Sequence, residues 1–202
     1  MTIFDMPDEA FRTGDLFPVR VQQVNRSGYT RKRKVMSNAW HTYWRLENAE
    51  HVQVVGEANI RPWRAFFADL EGVKNHFRYP AVAEAQHSGA VTAITVSSSG
   101  TTNLVIGNLP ASVTYLPKAS RLTVRLAGGL EQLIELRAAL VTTAGGQASA
   151  SFFPPLRAAP VVGQPVETKW PWVVLANEDP DQKIPASAGG VYNFSINASE
   201  EW

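Results

Sequence analysis

The stretch IRPWRAFFADLEG, residues 60–72, restricts the fold more than any other part of the chain. Ile60, Trp63, Phe67 and Leu70 are spaced by three, four and three, which sets them along one face of a helix with Phe66 on its flank. Pro62 suits a helix only in the first turn, where its missing N–H has no partner to lose. Asn59 is then the expected N-cap and Gly72 the expected stop. So wide an aromatic face needs an apolar surface to cover, and burying each large side chain contributes roughly 1.5–3 kcal/mol. The helix is expected to lie on a sheet.

The segments around it have the period of strands. LFPVRVQQV places Phe17, Val19 and Val21 on one side, and WHTYWRLEN does the same with Trp40, Thr42, Trp44 and Leu46. Between them NRSGYTRKRKVMSNA is polar and basic and reads as a long loop or hairpin tip. From about Gly89 the texture changes to short β-type segments with small-residue turns: AVTAITV, TNLVIG, RLTVRL, EQLIELRAAL and ASASFF. EQLIEL has helical propensity, but AGGL before it and TTAGGQ after it bracket a strand. FFPPLRAAPVVGQP is an extended exit, since its prolines exclude regular helix and central strand. WPWVVL and VYNFSINASEEW then return to the pattern of the first part, with Tyr192, Phe194 and Ile196 on one face.

The fold expected is mainly β. Residues 1–87 and 169–202 form one discontinuous domain with a flanking helix, and residues 88–168 are an inserted small β-barrel for which the OB-fold is a natural candidate.

Charge and composition narrow the function. The 202 residues carry 19 Lys and Arg against 18 Asp and Glu, a net charge of +1, so no field of the whole chain recruits nucleic acid or a membrane. Divided after His87, the two parts hold 12 basic and 10 acidic residues, then 7 and 8, and neither reads as a polyelectrolyte. With no cysteine there is no disulfide, thiolate nucleophile or Cys-bound metal. The N-terminus carries Asp5, Asp8 and Glu9 where a secretory signal needs basic and then apolar residues, and no apolar run approaches a membrane span. A cytosolic site of folding is expected.

No catalytic equipment is visible. His41, His51, His76 and His87 are never three or four apart, so no helical two-His metal site exists, and there is no P-loop, GxGxxG or GxSxG. No catalytic, cofactor-binding or metal-binding residue is assigned. NEDPDQ, with Glu178, Asp179 and Asp181, lacks the ligand spacing of an EF-hand and reads as a solvated loop. Glu131 and Glu135 share a strand face as many surface pairs do; as a carboxylate pair they would suit a wall-degrading hydrolase. NRS and NAS match the glycosylation pattern by chance, given the missing signal. Trp40, Trp44 and Trp63 read as core. Arg31, Lys32, Arg33 and Lys34 read as a solvated tip or a contact with an acidic neighbour.

The order of parts resembles the distal tail proteins of long, non-contractile-tailed bacteriophages: an early strand, WHTYWRLEN, the helix WRAFFADLEG followed by FRYP, a β insertion running into PPLRAAP, and a closing YNFSINASEEW. The resemblance spans nearly the whole chain. It implies a tail-tube-like β domain and a hexameric ring joining the tail tube protein to the tip or hub protein. It also implies an outward OB-like insertion, DNA only in transit, assembly in the host cytoplasm and a final place in the virion tail. The helix would brace the ring-forming sheet with Ile60, Trp63, Phe67 and Leu70 inward. Arg61 and Arg64, with Asp69, would face neighbours. Arg31 to Lys34 and the terminal Trp202 complete the expected subunit interface. The alternative is a carbohydrate-binding β module that stacks host glycans on Trp or Tyr115 or anchors tail fibres.

Overall fold

The computed structural model describes all residues except 1, 8–10, 31, 38–40, 52–53, 90–93, 103, 183, 185, 188 and 202. The expected strand face of Trp40 therefore lies outside the described residues. The fold is mainly β, with one helix among the described residues. In chain order the elements begin with β1 (Ile3–Asp5), β2 (Phe11–Val19), β3 (Gln22–Arg26), β4 (Arg33–Ser37), β5 (Tyr43–His51), β6 (Val54–Val55), α1 (Glu57–Leu70) and β7 (His76–Pro80). Then come β8 (Thr95–Ser99), β9 (Leu104–Gly107), β10 (Thr114–Leu116), β11 (Arg121–Arg125), β12 (Glu131–Leu136), β13 (Leu140–Val141) and β14 (Ala148–Ala150). The last are β15 (Phe152–Phe153), β16 (Val166–Glu167), β17 (Trp172–Asn177), β18 (Ala186–Ser187), β19 (Val191–Tyr192) and β20 (Ser195–Ser199).

The chain divides into two compact units. The first comprises Met1–Phe17, Trp44–Ala83 and Trp172–Trp202; the second comprises Pro18–Tyr43 and Glu84–Pro171. Residues 18–43, grouped with the chain ends in the sequence reading, thus belong with the middle of the chain.

The first unit is built on a six-stranded sheet ordered β1-β7-β17-β20-β5-β2, with β1 parallel to β7. The closing segment alternates as its residues dictate: Tyr192, Phe194, Ile196 and Ala198 are buried and the residues between them are not. In β5, Trp44 and Leu46 are wholly buried. Helix α1 lies against this apolar surface through aromatic contacts. Trp63 and Phe194 have ring centroids 5.0 Å apart, and Phe66 meets Phe77 edge-on at 5.7 Å.

The helix differs from expectation at three points. It starts at Glu57 after Gly56, whose φ of 89° a residue with a side chain rarely adopts. Asn59 therefore sits inside the first turn, where its Nδ2 donates to the Val55 carbonyl at 2.9 Å. Pro62 lies past the first turn, and the Ala58 carbonyl it cannot bond is on the solvent side of the helix, where water can satisfy it. The buried stripe is Ile60, Trp63, Phe66 and Leu70, with Phe67 only partly buried. Spacings of 3-3-4 and 3-4-3 both follow a helical face, and the sheet selects Phe66 because Phe77 stands opposite it.

In the second unit the described strands form a four-stranded sheet (β15-β12-β11-β16), a three-stranded sheet (β14-β9-β8), the pair β10–β13 and the hairpin β3–β4. The sheets share a core that includes Val96, Ile106, Leu122, Ile134, Leu136 and Phe152, and among the described residues they do not close into a barrel. EQLIEL is a strand: β11 and β12 pair in unbroken register from Arg121↔Glu135 to Arg125↔Glu131. In the turn between them Gly128 and Gly129 have φ 89° and 84°, positive values that glycine adopts without the cost a side chain would bring. The proline-rich exit is held by Gln132, which is wholly buried. Its Nε2 donates to the Pro155 carbonyl and its Oε1 accepts from the Arg157 N–H, at 3.0 and 2.9 Å.

Candidate interaction surface

Hairpin β3–β4 occupies the basic stretch that reads as a loop or tip in the sequence. Every described residue from Arg20 to Met36 is exposed, on both faces of the ribbon. LFPVRVQQV accordingly does not form one half-buried strand: it breaks at Arg20 and Val21, and Val21 is 52% exposed. Pairing runs Gln22↔Ser37, Gln23↔Met36, Val24↔Val35, Asn25↔Lys34 and Arg26↔Arg33. Opposed residues share a face, so one face carries Val24, Val35, Arg26 and Arg33, and the other carries Met36 and Lys34. At the tip Ser27 Oγ accepts from the Thr30 N–H at 3.1 Å, which shapes the turn, and Tyr29 is 98% exposed.

Among the described residues none of Arg26, Lys32, Arg33 and Lys34 forms an ion pair with a carboxylate. Two further cations of this unit, Arg20 and Arg137, lie 4.6 and 5.0 Å from the centroid of the Phe153 ring.

The division into units exposes a charge separation hidden in the linear order. The second unit holds 12 Lys and Arg against 4 Asp and Glu, a formal net charge of +8; the first holds 7 against 14, a net charge of −7. The near-neutral chain is therefore a strongly basic body joined to a strongly acidic one. A division after His87 misses this, because it counts the RKRK stretch with the acidic ends of the chain.

The other expected interface residues distribute as follows. Lys32, Arg33 and Lys34 are on the hairpin, whereas Arg31 and Trp202 lie outside the described residues. Arg61 is exposed on α1. Arg64, expected to face a neighbour, is engaged within its own unit: it pairs with Glu57 and lies 5.4 Å from the Tyr192 ring centroid. The Tyr192 hydroxyl donates to Glu57 Oε2 at 2.8 Å, and this bond is the main cause holding the Glu57 carboxyl below its ordinary pKa.

The chemistry-bearing groups have structural partners. Glu131 and Glu135 each face an arginine across the strand pair, Arg125 at 3.1 Å and Arg121 at 3.5 Å. Among the described residues no group of three or more His, Asp or Glu is placed to hold a metal ion. His87 Nε2 lies 3.0 Å from both the Tyr115 hydroxyl and Thr168 Oγ1, and beside it Gln86 bonds both backbone polar groups of Arg121. Thr168 is buried, so this cluster closes a strand end and does not present a nucleophile to solvent. Tyr115 packs on the core with its ring 4.9 Å from His87 and its hydroxyl bonded, so it is not an open stacking platform. Trp170 is half exposed. Among the described residues no helix is long and apolar enough to cross a membrane.

Sequence reasoning located the basic stretch and offered a hairpin tip beside a long loop, but it did not place the two strands. The signal was weak: QQVNR has one apolar residue and RKVMS has two side by side, so neither alternates, and only the SGYT turn between them points to a reversal. Neither a family model nor a curated protein matches this chain.

Proposed function

We propose that this chain is a structural subunit of a homo-oligomeric ring, of the kind the distal tail proteins of long-tailed phages form. The observation that carries the reading is hairpin β3–β4. A two-stranded ribbon alone in water is marginally stable at best, and among its described residues this one has no covered apolar face. Such an arm is expected where a neighbouring subunit supplies the missing burial.

On this reading the six-stranded sheet and α1 make a tail-tube-like body, and the second unit is an OB-like elaboration. Six copies surround a channel between the tail tube protein and the tip or hub protein, DNA passes through in transit, and the ring assembles in the host cytoplasm before joining the virion. The buried stripe of α1 braces the ring-forming sheet, and Arg61 with the hairpin cations meets neighbours. The pairing of Glu131 and Glu135 with arginines supports a role without catalysis.

Native mass spectrometry of the full chain across concentration and salt tests this. A closed oligomer, with six copies the expected number, supports it. A chain that remains monomeric at every concentration and also in the presence of a cognate tail tube protein overturns it.

A further inference from the structure

We infer that the partner of the basic hairpin is the acidic patch at the C-terminal end of α1 on a second copy of this chain. The inference rests on the subunit reading and names the surface that the arm occupies.

The patch brings two segments of the first unit together. Gly72, just past α1, packs so closely on Pro180 that an added Cβ would come within 3.2 Å of its carbonyl oxygen. The helix end that carries Asp69 and Glu71 therefore meets the loop that carries Glu178, Asp179 and Asp181. The loop has a set shape, since Asn177 bonds both the N–H and the carbonyl of Asp179, and Asp179 Oδ1 accepts from the Asp181 N–H at 2.9 Å. Two of the five carboxylates are answered, Glu71 by Lys74 and Glu178 by Arg45. The side chains of Asp69 and Asp181 are exposed and have no ion-pair partner among the described residues.

The patch also works against its own helix. The C-terminal end of a helix carries the negative pole of its dipole and favours cations, yet the last turn of α1 has no basic residue. Glu71 is the C-cap, in a left-handed conformation at φ 47°. The hairpin has the opposite fault: Arg26 and Arg33 are direct cross-strand partners, and like charges in that position repel. Each surface thus supplies the counter-charge that the other lacks.

The whole-unit charges of +8 and −7 favour the same docking and would steer one copy onto the next. The contact joins different surfaces of two identical chains, so it is heterologous and generates a ring wherever the rotation closes. A nucleic acid is the less favoured occupant, because the chain as a whole carries a net charge of only +1 and exerts little long-range pull on a polyanion. Val24, Val35 and Met36 moreover offer apolar area of the kind a protein surface covers.

The test uses the full chain with two paired reversals, Arg26→Glu with Arg33→Glu, and Asp69→Lys with Asp181→Lys. Sedimentation velocity at low and high salt reads self-association. The wild type should associate at low salt and dissociate as salt rises. Each pair alone should raise the dissociation constant at least about tenfold. Combining all four, or mixing the two pair variants, should restore association. Association that survives either reversal overturns the inference while leaving the subunit reading standing, and so does a mixture that fails to associate. A wild type that stays monomeric at low salt overturns the inference, and it overturns the subunit reading as well only if the chain also stays monomeric in the presence of a cognate tail tube protein. Binding of duplex DNA that Arg26→Glu with Arg33→Glu abolishes, without self-association, would assign the hairpin to nucleic acid instead.

Discussion

Arg26 and Arg33 face each other across the two strands of an exposed hairpin, at the end nearest its turn. Two guanidinium groups in that relation repel, and no carboxylate among the described residues lies within ion-pair reach of either. The arrangement makes a ribbon whose cross-strand charges are locally unfavourable.

Folding and assembly should therefore respond to Arg33→Glu with opposite signs. The change converts a like-charge pair into an opposite-charge one, so the melting temperature of the isolated chain should rise by about 1–4 °C. Self-association should weaken at the same time. A thermal melt and sedimentation on the same sample check both signs, and a fall in both would contradict the description of the pair.

Two adjacent phenylalanines of α1 should differ sharply. Phe66 is 5% exposed and meets Phe77 edge-on, so Phe66→Ala should cost about 3–5 kcal/mol in urea unfolding. Phe67 is only partly buried, against Trp63 and Phe194, and Phe67→Ala should cost about 1–3 kcal/mol. The reverse order would restore the 3-4-3 stripe read from the sequence.

Gly146 is predicted to tolerate no side chain. It has φ 67°, and a Cβ there would come within 2.5 Å of the Leu109 carbonyl oxygen, while its own carbonyl accepts from the Leu109 N–H at 3.0 Å. Gly146→Ala should lose about 2 kcal/mol or more in chemical denaturation. Gly28→Ala, with nothing within 4 Å of the added atom, serves as the control and should change little.

Stability should fall on mild acidification. Burial lowers the pKa of His87, helped by the nearby Lys169 cation and opposed by Glu167, and burial likewise lowers that of His76. The Nδ1 atoms of both rings are buried with no hydrogen-bond partner among the described residues, so charging either would bury an unanswered N–H. Because both folded-state values lie below the ordinary 6.5, the unfolded chain binds protons first. Their contribution is complete above pH 6.5 and is lost as pH falls through that value toward the folded ones. Unfolding free energies measured across this window should slope downward with acid, and His76→Gln with His87→Gln should flatten the slope.

Sequence alone determined the elements whose signal is local. The helix and most of the strands follow from which side chains recur on one face, a property of neighbouring residues that survives whatever the rest of the chain does. EQLIEL was legible as a strand from equally local signals, the glycine-containing turns AGGL and TTAGGQ that bracket it. The tertiary structure decided which of two equally periodic phenylalanines is core, because that depends on Phe77, a residue of a different strand. It also decided the electrostatics. Charges act through space, so their effect depends on which segments fold into one body, and residues 18–43 join the middle of the chain instead of its ends. A chain of net charge +1 thereby becomes a basic unit and an acidic unit, a separation that no linear count of its residues contains.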